Sequence, residues 1–473
     1  MRRILLGLLA MVCCLTLAAP ALAEVAFLPM ISLRDLETMP LELTLSAEIT
    51  AYAPFGEDRL PQLTNLMKHL ALHITWQPLI DETQSTVAVL VDGEEALSLG
   101  LQETAQGGMA QFSVLPNTTY AGADPLSLLL GMSPEPLSIF GIDGSEAAWL
   151  EEGYELLNAI GEGLASYRTG ESKIKTEIKN MGTARLKQDY TIPKSETEGL
   201  SALLAGLCPE GRLKELISGL VFSGKQTLRV YRDADDAPLR IEWTGNCGVD
   251  EDHLRDVTFT WRLRRDDTAY RDEVTLTSPA LRGSDNNRLT WNCAIAPNKS
   301  GQMVLSGNLS YTRTENKQKT ILTGEYKLTS EDEGSSTRVT GSATISQQLP
   351  GADKATGYTF EPNLLFTGDS NIPAMEGTLT VSSLLGKTTL DQAIITLDMR
   401  RTGYTSWQMR QETVNLSLLD AASQEAARDQ VTSAISSAFI RRLTLLPRED
   451  LDYLFMDLPE ETVQAIISAA QSD

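Results

Sequence analysis

Leu41-Glu42-Leu43-Thr44-Leu45-Ser46-Ala47-Glu48-Ile49-Thr50-Ala51 reads as one half-buried strand. Leu41, Leu43, Leu45 and Ile49 share one face, and Glu42, Thr44, Ser46, Glu48 and Thr50 share the other. Successive side chains of an extended chain point to opposite sides, so this alternation places one face on a core and the other in water. The same period returns further along. Leu72, Ile74 and Trp76 alternate; Val87, Val89 and Val91 lead into Asp92-Gly93, a strong hairpin signal, and the chain comes back through Leu97, Leu99 and Leu101. From Asp256 to Met399 the chain is almost continuous strand and turn. Phe259, Trp261 and Leu263 alternate with Thr260, Arg262 and Arg264, and further strands are expected near 303–311, 320–328, 337–345, 377–381 and 393–397, with turns rich in Asp, Asn, Gly and Ser.

Helical periodicity interrupts this pattern in a few places. Leu60, Leu63, Met67 and Leu70 recur at helical spacing behind Pro61. A second helix is expected around 146–160 and a third over 197–220, broken at Pro209. Near the C-terminus Asp420 is a plausible N-cap for a helix with Val431, Ile435, Ala438 and Phe439 on one stripe. Pro447 stops that helix, and another follows Pro459. The order strand, helix, hairpin occurs at 41–101 and again at 186–243, which suggests an internal duplication of pattern.

The expected fold class is therefore α+β: antiparallel meanders forming curved sheets, with amphipathic helices packed on one face. The expected division is a signal peptide at 1–23, an N-terminal α+β unit at 24–144, a second unit with the long meander at 145–409, and a helical segment at 410–473.

Met1-Arg2-Arg3, the apolar run Ile4–Leu17 and the small residues of Ala18-Ala19-Pro20-Ala21-Leu22-Ala23 follow the secretory pattern, with cleavage expected after Ala23. The run is shorter than the roughly 20 residues that span a bilayer, and no later stretch is apolar enough to do so. The expected location is extracytoplasmic, secreted or in the cell envelope. A membrane barrel also alternates, but 6% aromatic residues are few for two interfacial girdles, and internal helices fit it badly. Loss of Arg2 and Arg3 takes the formal charge from −23 to −25. A surface this negative repels nucleic acid and anionic lipid headgroups.

Three cysteines remain after cleavage. Cys247 and Cys293 both end strand patterns preceded by Trp and Asn; adjacent strand ends would bring them together as a disulfide and leave Cys208 single. Three free thiols fit the spacing equally well.

The motifs that could carry chemistry fail on their partners. Leu364-Leu365-Phe366-Thr367-Gly368-Asp369-Ser370 resembles the nucleophile turn of the GDSL-type serine esterases. The resemblance implies a histidine downstream to accept the serine proton, and none of His69, His73 and His253 follows Ser370. Gly386-Lys387-Thr388 lacks the glycine that a phosphate loop carries five residues earlier, so it reads as a hairpin turn. Ser172-Lys173-Ile174-Lys175 fits S-x-x-K but lies in a strand-like segment without companion motifs. His69 and His73 straddle an element boundary with no further ligand nearby, so no metal site is expected, and no motif implies a cofactor. The acidic groups Asp233/Asp235/Asp236, Asp250/Glu251/Asp252, Asp266/Asp267 and Glu331/Asp332/Glu333 read as solvated turns, where Asp is favoured for backbone reasons.

The preferred expectation is a non-enzymatic exported protein, either a scaffold with an envelope-protein partner or a cradle for an apolar ligand. The cradle would be lined by Leu43, Leu45, Val89 and Leu99 against the helix bearing Leu63 and Met67. The alternative is a hydrolase with two dispersed carboxylates gathered in a cleft.

Overall fold

In the computed structural model, the described residues are 40–52, 60–79, 82–104, 107–130, 156, 159–208, 214, 217–248, 250–251, 254–266, 269–279, 285–367, 374–404, 412–443 and 464. The export signal, the Gly-Asp-Ser turn at 368–370, His253, Pro447 and all of the stretch after Pro459 except residue 464 lie outside them.

Alternation of apolar and polar residues yields twenty strands. The first six are β1 (Leu41–Tyr52), β2 (Leu70–Pro78), β3 (Glu82–Val91), β4 (Glu94–Thr104), β5 (Gly107–Phe112) and β6 (Thr118–Gly122). They are followed by β7 (Arg168–Ile178), β8 (Gly182–Ile192), β9 (Val221–Arg232), β10 (Pro238–Gly248), β11 (Arg255–Asp266), β12 (Ala269–Pro279) and β13 (Asn286–Pro297). The long meander continues through β14 (Met303–Glu315), β15 (Gln318–Asp332), β16 (Ser336–Gln348), β17 (Thr356–Thr367), β18 (Ala374–Leu385) and β19 (Thr388–Arg401), and β20 (Glu412–Asn415) comes last. The helices are α1 (Leu60–Lys68), α2 (Pro125–Leu130), α3 (Leu200–Leu207) and α4 (Ala421–Leu443).

All twenty strands belong to one sheet. From β7 each strand pairs antiparallel with the next as far as β19. There the N-terminal strand joins: β1 pairs antiparallel with β19 from Leu41↔Arg401 to Tyr52↔Asp391. The sheet runs on through β2, β3, β4, β5 and β6 to β20, whose pairing with β6 is the one parallel contact among the described residues.

This corrects the expected α+β class. The helices do not form a layer over separate sheets; a single strand-dominated sheet carries the architecture, with α2, α3 and α4 at its two ends and α1 beside β1 and β2. Short turn connections are the reason. Asp92-Gly93 has φ of +52° and +80°, and Asn316-Lys317 has +52° and +67°, the paired positive φ of type I′ turns that match strand twist. Each such turn returns the chain beside the strand it has just left, leaving no room for a helical crossover.

A twisted sheet rarely exceeds about ten strands without curling. The bending features that such curling uses are present: bulges between Ile49 and Ala51 and between Ser383 and Leu384, and strand glycines Gly341 and Gly377 with φ of +143° and +142°. The expected order strand, helix, hairpin is present twice, as β1-α1-β2-β3 and as β8-α3-β9-β10. The Asp420 cap is also present: its carboxylate accepts from Ser423 N at 2.8 Å and so its pKa is lowered.

Candidate functional site

Along the long meander the two faces of the sheet differ in burial. On β17, Pro362, Leu364 and Phe366 are buried while Glu361 and Asn363 are exposed; on β15, Leu328 and Ser330 are buried while Thr323, Glu325 and Lys327 are exposed. Register carries the apolar face from strand to strand. Leu364 lies opposite Gly377, then Leu397, Leu45, Leu72 and Val89 follow in one line across β17, β18, β19, β1, β2 and β3. The more buried face is thus a largely apolar strip, with the more polar side chains on the other face.

Helices cover this strip at its two ends. At one end Leu200, Leu204 and Cys208, with Leu156, Ile160 and Leu164, pack on Leu228, Val230, Ile241 and Trp261 of β9, β10 and β11. At the other, Leu126 and Leu129 of α2 and Val431 of α4 pack on Leu101, Ala110, Phe112 and Tyr120. Between these ends the clusters are made of strand residues alone among the described residues: Ile295, Leu305, Leu328 and Val339 in one, Phe360, Leu379, Val381 and Ile395 in a second, Leu41, Leu43, Ile74 and Met399 in a third. Many side chains along this middle stretch stay half-exposed, including Leu72, Val87, Val89, Leu309 and Ile345.

Four of the six residues anticipated as ligand-lining share this face. Leu43 is buried and Leu45 packs against two of the clusters. Val89 stands in line with Leu45 through Leu72, and Leu99 in line with Leu43 through Ile74 and Val87. Leu99, however, packs into the helix-covered end. Met67 is half-buried, and the side chain of Leu63 lies outside the described residues. Among the described side chains of α1 the buried one is Leu66, and Thr64 Oγ1 donates to the Ile49 carbonyl near the end of β1. The larger part of the strip, from β12 to β19, escaped the sequence reading, although its alternating apolar residues were the available signal.

Polar groups interrupt the strip at a few buried points. Trp261 Nε1 donates to Asp272 Oδ1 at 2.9 Å, and Asp272 stands opposite Cys293 in the β12–β13 register. Burial pushes the Cys293 thiol up to about 12, partly offset by a hydrogen bond with Tyr326 and reinforced by Asp272. Gln226 is fully buried and satisfied: Nε2 donates to the Ser223 and Asn246 carbonyls, and Oε1 accepts from Trp243 Nε1. Arg232 donates to Gln188 Oε1 at 3.3 Å and to the Asp236 carbonyl at 2.7 Å, and Tyr190 donates to the same Gln188 oxygen.

Cys247 and Cys293 do not form the anticipated disulfide; Cys208, Cys247 and Cys293 are free. Two strands separate them, about 10 Å of extra sheet width, and their β11 neighbours Arg255 and Leu263 are eight residues apart in sequence. His69 and His73 point to different partners, His69 Nδ1 to Asp92 Oδ1 and His73 Nδ1 to Thr44 Oγ1. Among the described residues no three His, Cys, Asp or Glu side chains group as a metal site. Gly386-Lys387 is a two-residue turn between Leu385 and Thr388, and Ser172 lies in edge strand β7. Asp233 and Asp332 accept from backbone N–H groups of their own turns, as turn aspartates do.

No family model matches the chain, and no curated protein matches it. Similar solved structures include the outer-membrane-expressed OmpT of Vibrio cholerae, at 7% identity over 77% of this chain and 96% of that one, with a TM-score of 0.26. The in-vitro folded form gives 5% identity over 76% and 96%, TM-score 0.25, and its loop L8 deletion mutant 6% over the same shares, TM-score 0.24. At TM-scores this low the likeness carries no argument about this chain. No helix among the described residues is long and apolar enough to cross a membrane.

Proposed function

We propose that this is an exported protein of the cell envelope that shelters an apolar chain, such as a lipid acyl chain, along the inside of its curled sheet. The observation that supports this reading is the largely apolar strip running from β12 through β19 and β1 to β3, interrupted by the buried Asp272, whose clusters are made of strand residues alone among the described residues, while helix residues join the clusters at the two ends of the sheet. Eleven strands at about 4.8 Å give roughly 50 Å of such surface. Burial sets its polarity: a barrel wall in a bilayer exposes its apolar face, whereas here Ile295, Leu305 and Phe360 are among the most enclosed residues. The export signal is the ground for the extracytoplasmic location.

The acids offer no comparable support for a hydrolase. They occupy turns and the outer face, and Asp272 is the one buried carboxylate among the described residues.

The test is to secrete the full chain, extract it with organic solvent and identify co-purifying molecules by mass spectrometry, then to titrate the stripped protein with a fluorescent fatty acid. Filling the strip with Ala343→Phe or Ala393→Phe is expected to weaken binding at least tenfold while circular dichroism stays unchanged. Binding that is absent, or indifferent to both substitutions, would falsify the reading.

A further inference from the structure

In an antiparallel meander alternate turns fall at the same end of the strands, so the turns β14–β15, β16–β17 and β18–β19 share one end. That end is basic. Arg313, Lys317, Lys319, Lys354 and Lys387 are all exposed there, against the acids Glu315 and Asp353. Glu315 is held by Arg313 at 2.6 Å, and Asp285 Oδ1 accepts from Asn316 N at 3.0 Å in the same turn, so the four lysines face only Asp353 and the half-buried Asp285 among the described residues of these turns. The opposite end of the same strands is mixed: Glu331, Asp332 and Glu333 are exposed in the β15–β16 turn, Arg338 holds Glu333 at 2.6 Å, and Lys299, Arg400 and Arg401 are exposed there too. In a chain of net charge −23 this lysine cluster is a local feature. At physiological ionic strength exposed charges act over about 8 Å, so the nearby lysines, and not the net charge, govern what approaches this end.

Two further observations specify the partner. Leu349 stands 55% exposed in the β16–β17 turn, beside Pro350 and ahead of Lys354. The turn is fixed: Ala352 N donates to the Leu349 carbonyl, Gln348 Nε2 donates to the Ala352 carbonyl, and Gly386 N ties the β18–β19 turn to the Ala355 carbonyl at 2.7 Å. Inside the curl, Tyr311, Leu322 and Leu385 continue the apolar strip to this same end. A rigid rim of lysines around an exposed apolar tip matches the headgroup boundary of an anionic bilayer, where each lysine strengthens binding about fivefold and a leucine enters the acyl boundary.

We propose that the hairpin tips carrying Lys317, Lys319, Lys354 and Lys387 dock on an anionic lipid bilayer, with Leu349 seated at its headgroup boundary. This deepens the apolar-chain reading by naming the surface from which a chain enters the strip, and it is measured separately from it.

The experiment is flotation of the full mature chain with vesicles of phosphatidylcholine alone and of phosphatidylcholine mixed with phosphatidylglycerol. Binding is expected on the mixed vesicles only and is expected to fall as salt rises. The quadruple variant K317E/K319E/K354E/K387E is expected to lose it, Leu349→Asn to weaken it several-fold, and Glu331→Gln with Glu333→Gln at the opposite end to leave it unchanged. Thermal melting confirms that each variant is folded. Equal flotation with both vesicle types, or full flotation of the quadruple variant, overturns the proposal. Vesicle binding without fatty-acid binding would leave the docking surface and remove the carrier; the reverse result would do the opposite.

Discussion

Trp261 donates its indole N–H to Asp272 Oδ1 at 2.9 Å, from β11 to β12, on the apolar face of the sheet. Asp272 is 1% exposed and Trp261 7%. A carboxylate costs several kcal/mol to bury without partners, and an indole N–H left without an acceptor costs about 1–3 kcal/mol. Asp272→Asn keeps an acceptor at Oδ1, whereas Asp272→Ala removes it and opens a small void. The alanine variant is expected to be less stable than the asparagine variant by about 1–3 kcal/mol in urea unfolding. Trp261→Phe should shrink that difference, because the stranded donor is then gone. Equal stability of the two variants in the wild-type background would show that the bond contributes nothing.

The second expectation concerns Gly341. It lies between Leu328 on β15 and the position of Pro362 on β17, where the β16–β17 ladder skips from Thr340↔Asn363 to Ala343↔Phe360. Pro362 has no N–H to donate, and Gly341 has φ +143°, a conformation that side chains rarely adopt. A Cβ at Gly341 would meet the Lys327 carbonyl. Gly341→Ala is therefore expected to destabilise by about 2 kcal/mol or more. Gly206 in α3 provides the contrast: nothing stands near its Cβ position, and Ala there is expected to stabilise by about 0.5–1 kcal/mol. Denaturant midpoints of the two variants should move in opposite directions; a shared direction would contradict the backbone argument.

These two residues also mark where the sequence could and could not be read. Period-two alternation identified β1 and most of the meander, because each residue reports its own face. Asp92-Gly93 and Asp420 were legible for the same reason, since a turn or a cap is decided within a few residues. Pairing is not local. Nothing in Leu41–Tyr52 says that its partner is β19, some 350 residues later, and the whole sheet is continuous only because of that ladder. The first half of β17 was not among the expected strands; Gly357 and Pro362 interrupt its alternation, yet both lie within the strand. Leu43, Leu45 and Val89 share a face, as their alternation implies, and the cluster around Leu43 and Leu45 is built of strand residues from β1, β2, β3, β18 and β19, a pairing that no local pattern announces.

The three thiols give the last expectation, and it carries a pH dependence. Cys293 is 2% exposed, Cys208 is 8% exposed with its thiol donating to the Leu204 carbonyl, and Cys247 is half-buried near the end of β10. Burial raises the Cys247 pKa, and raises that of Cys293 to about 12. The thiolate is the reactive form, so iodoacetamide is expected to label Cys247 first, and Cys293 only as fast as the protein unfolds. Because the folded value of Cys293 lies above its ordinary value of 9.0, the native state holds this proton where the unfolded chain releases it. Stability from this group is therefore intact below pH 9 and declines as pH rises from about 9 toward 12. Cys293→Ala should flatten that decline. With no bridge to lose, Cys247→Ser should leave the denaturant midpoint within about 0.5 kcal/mol of wild type, where loss of a disulfide would cost about 2–5 kcal/mol. Mass spectrometry of alkylated, unreduced protein reads both points: three labelled cysteines after unfolding fit free thiols, and a mass two units short with one label would mean that Cys247 and Cys293 had found each other after all.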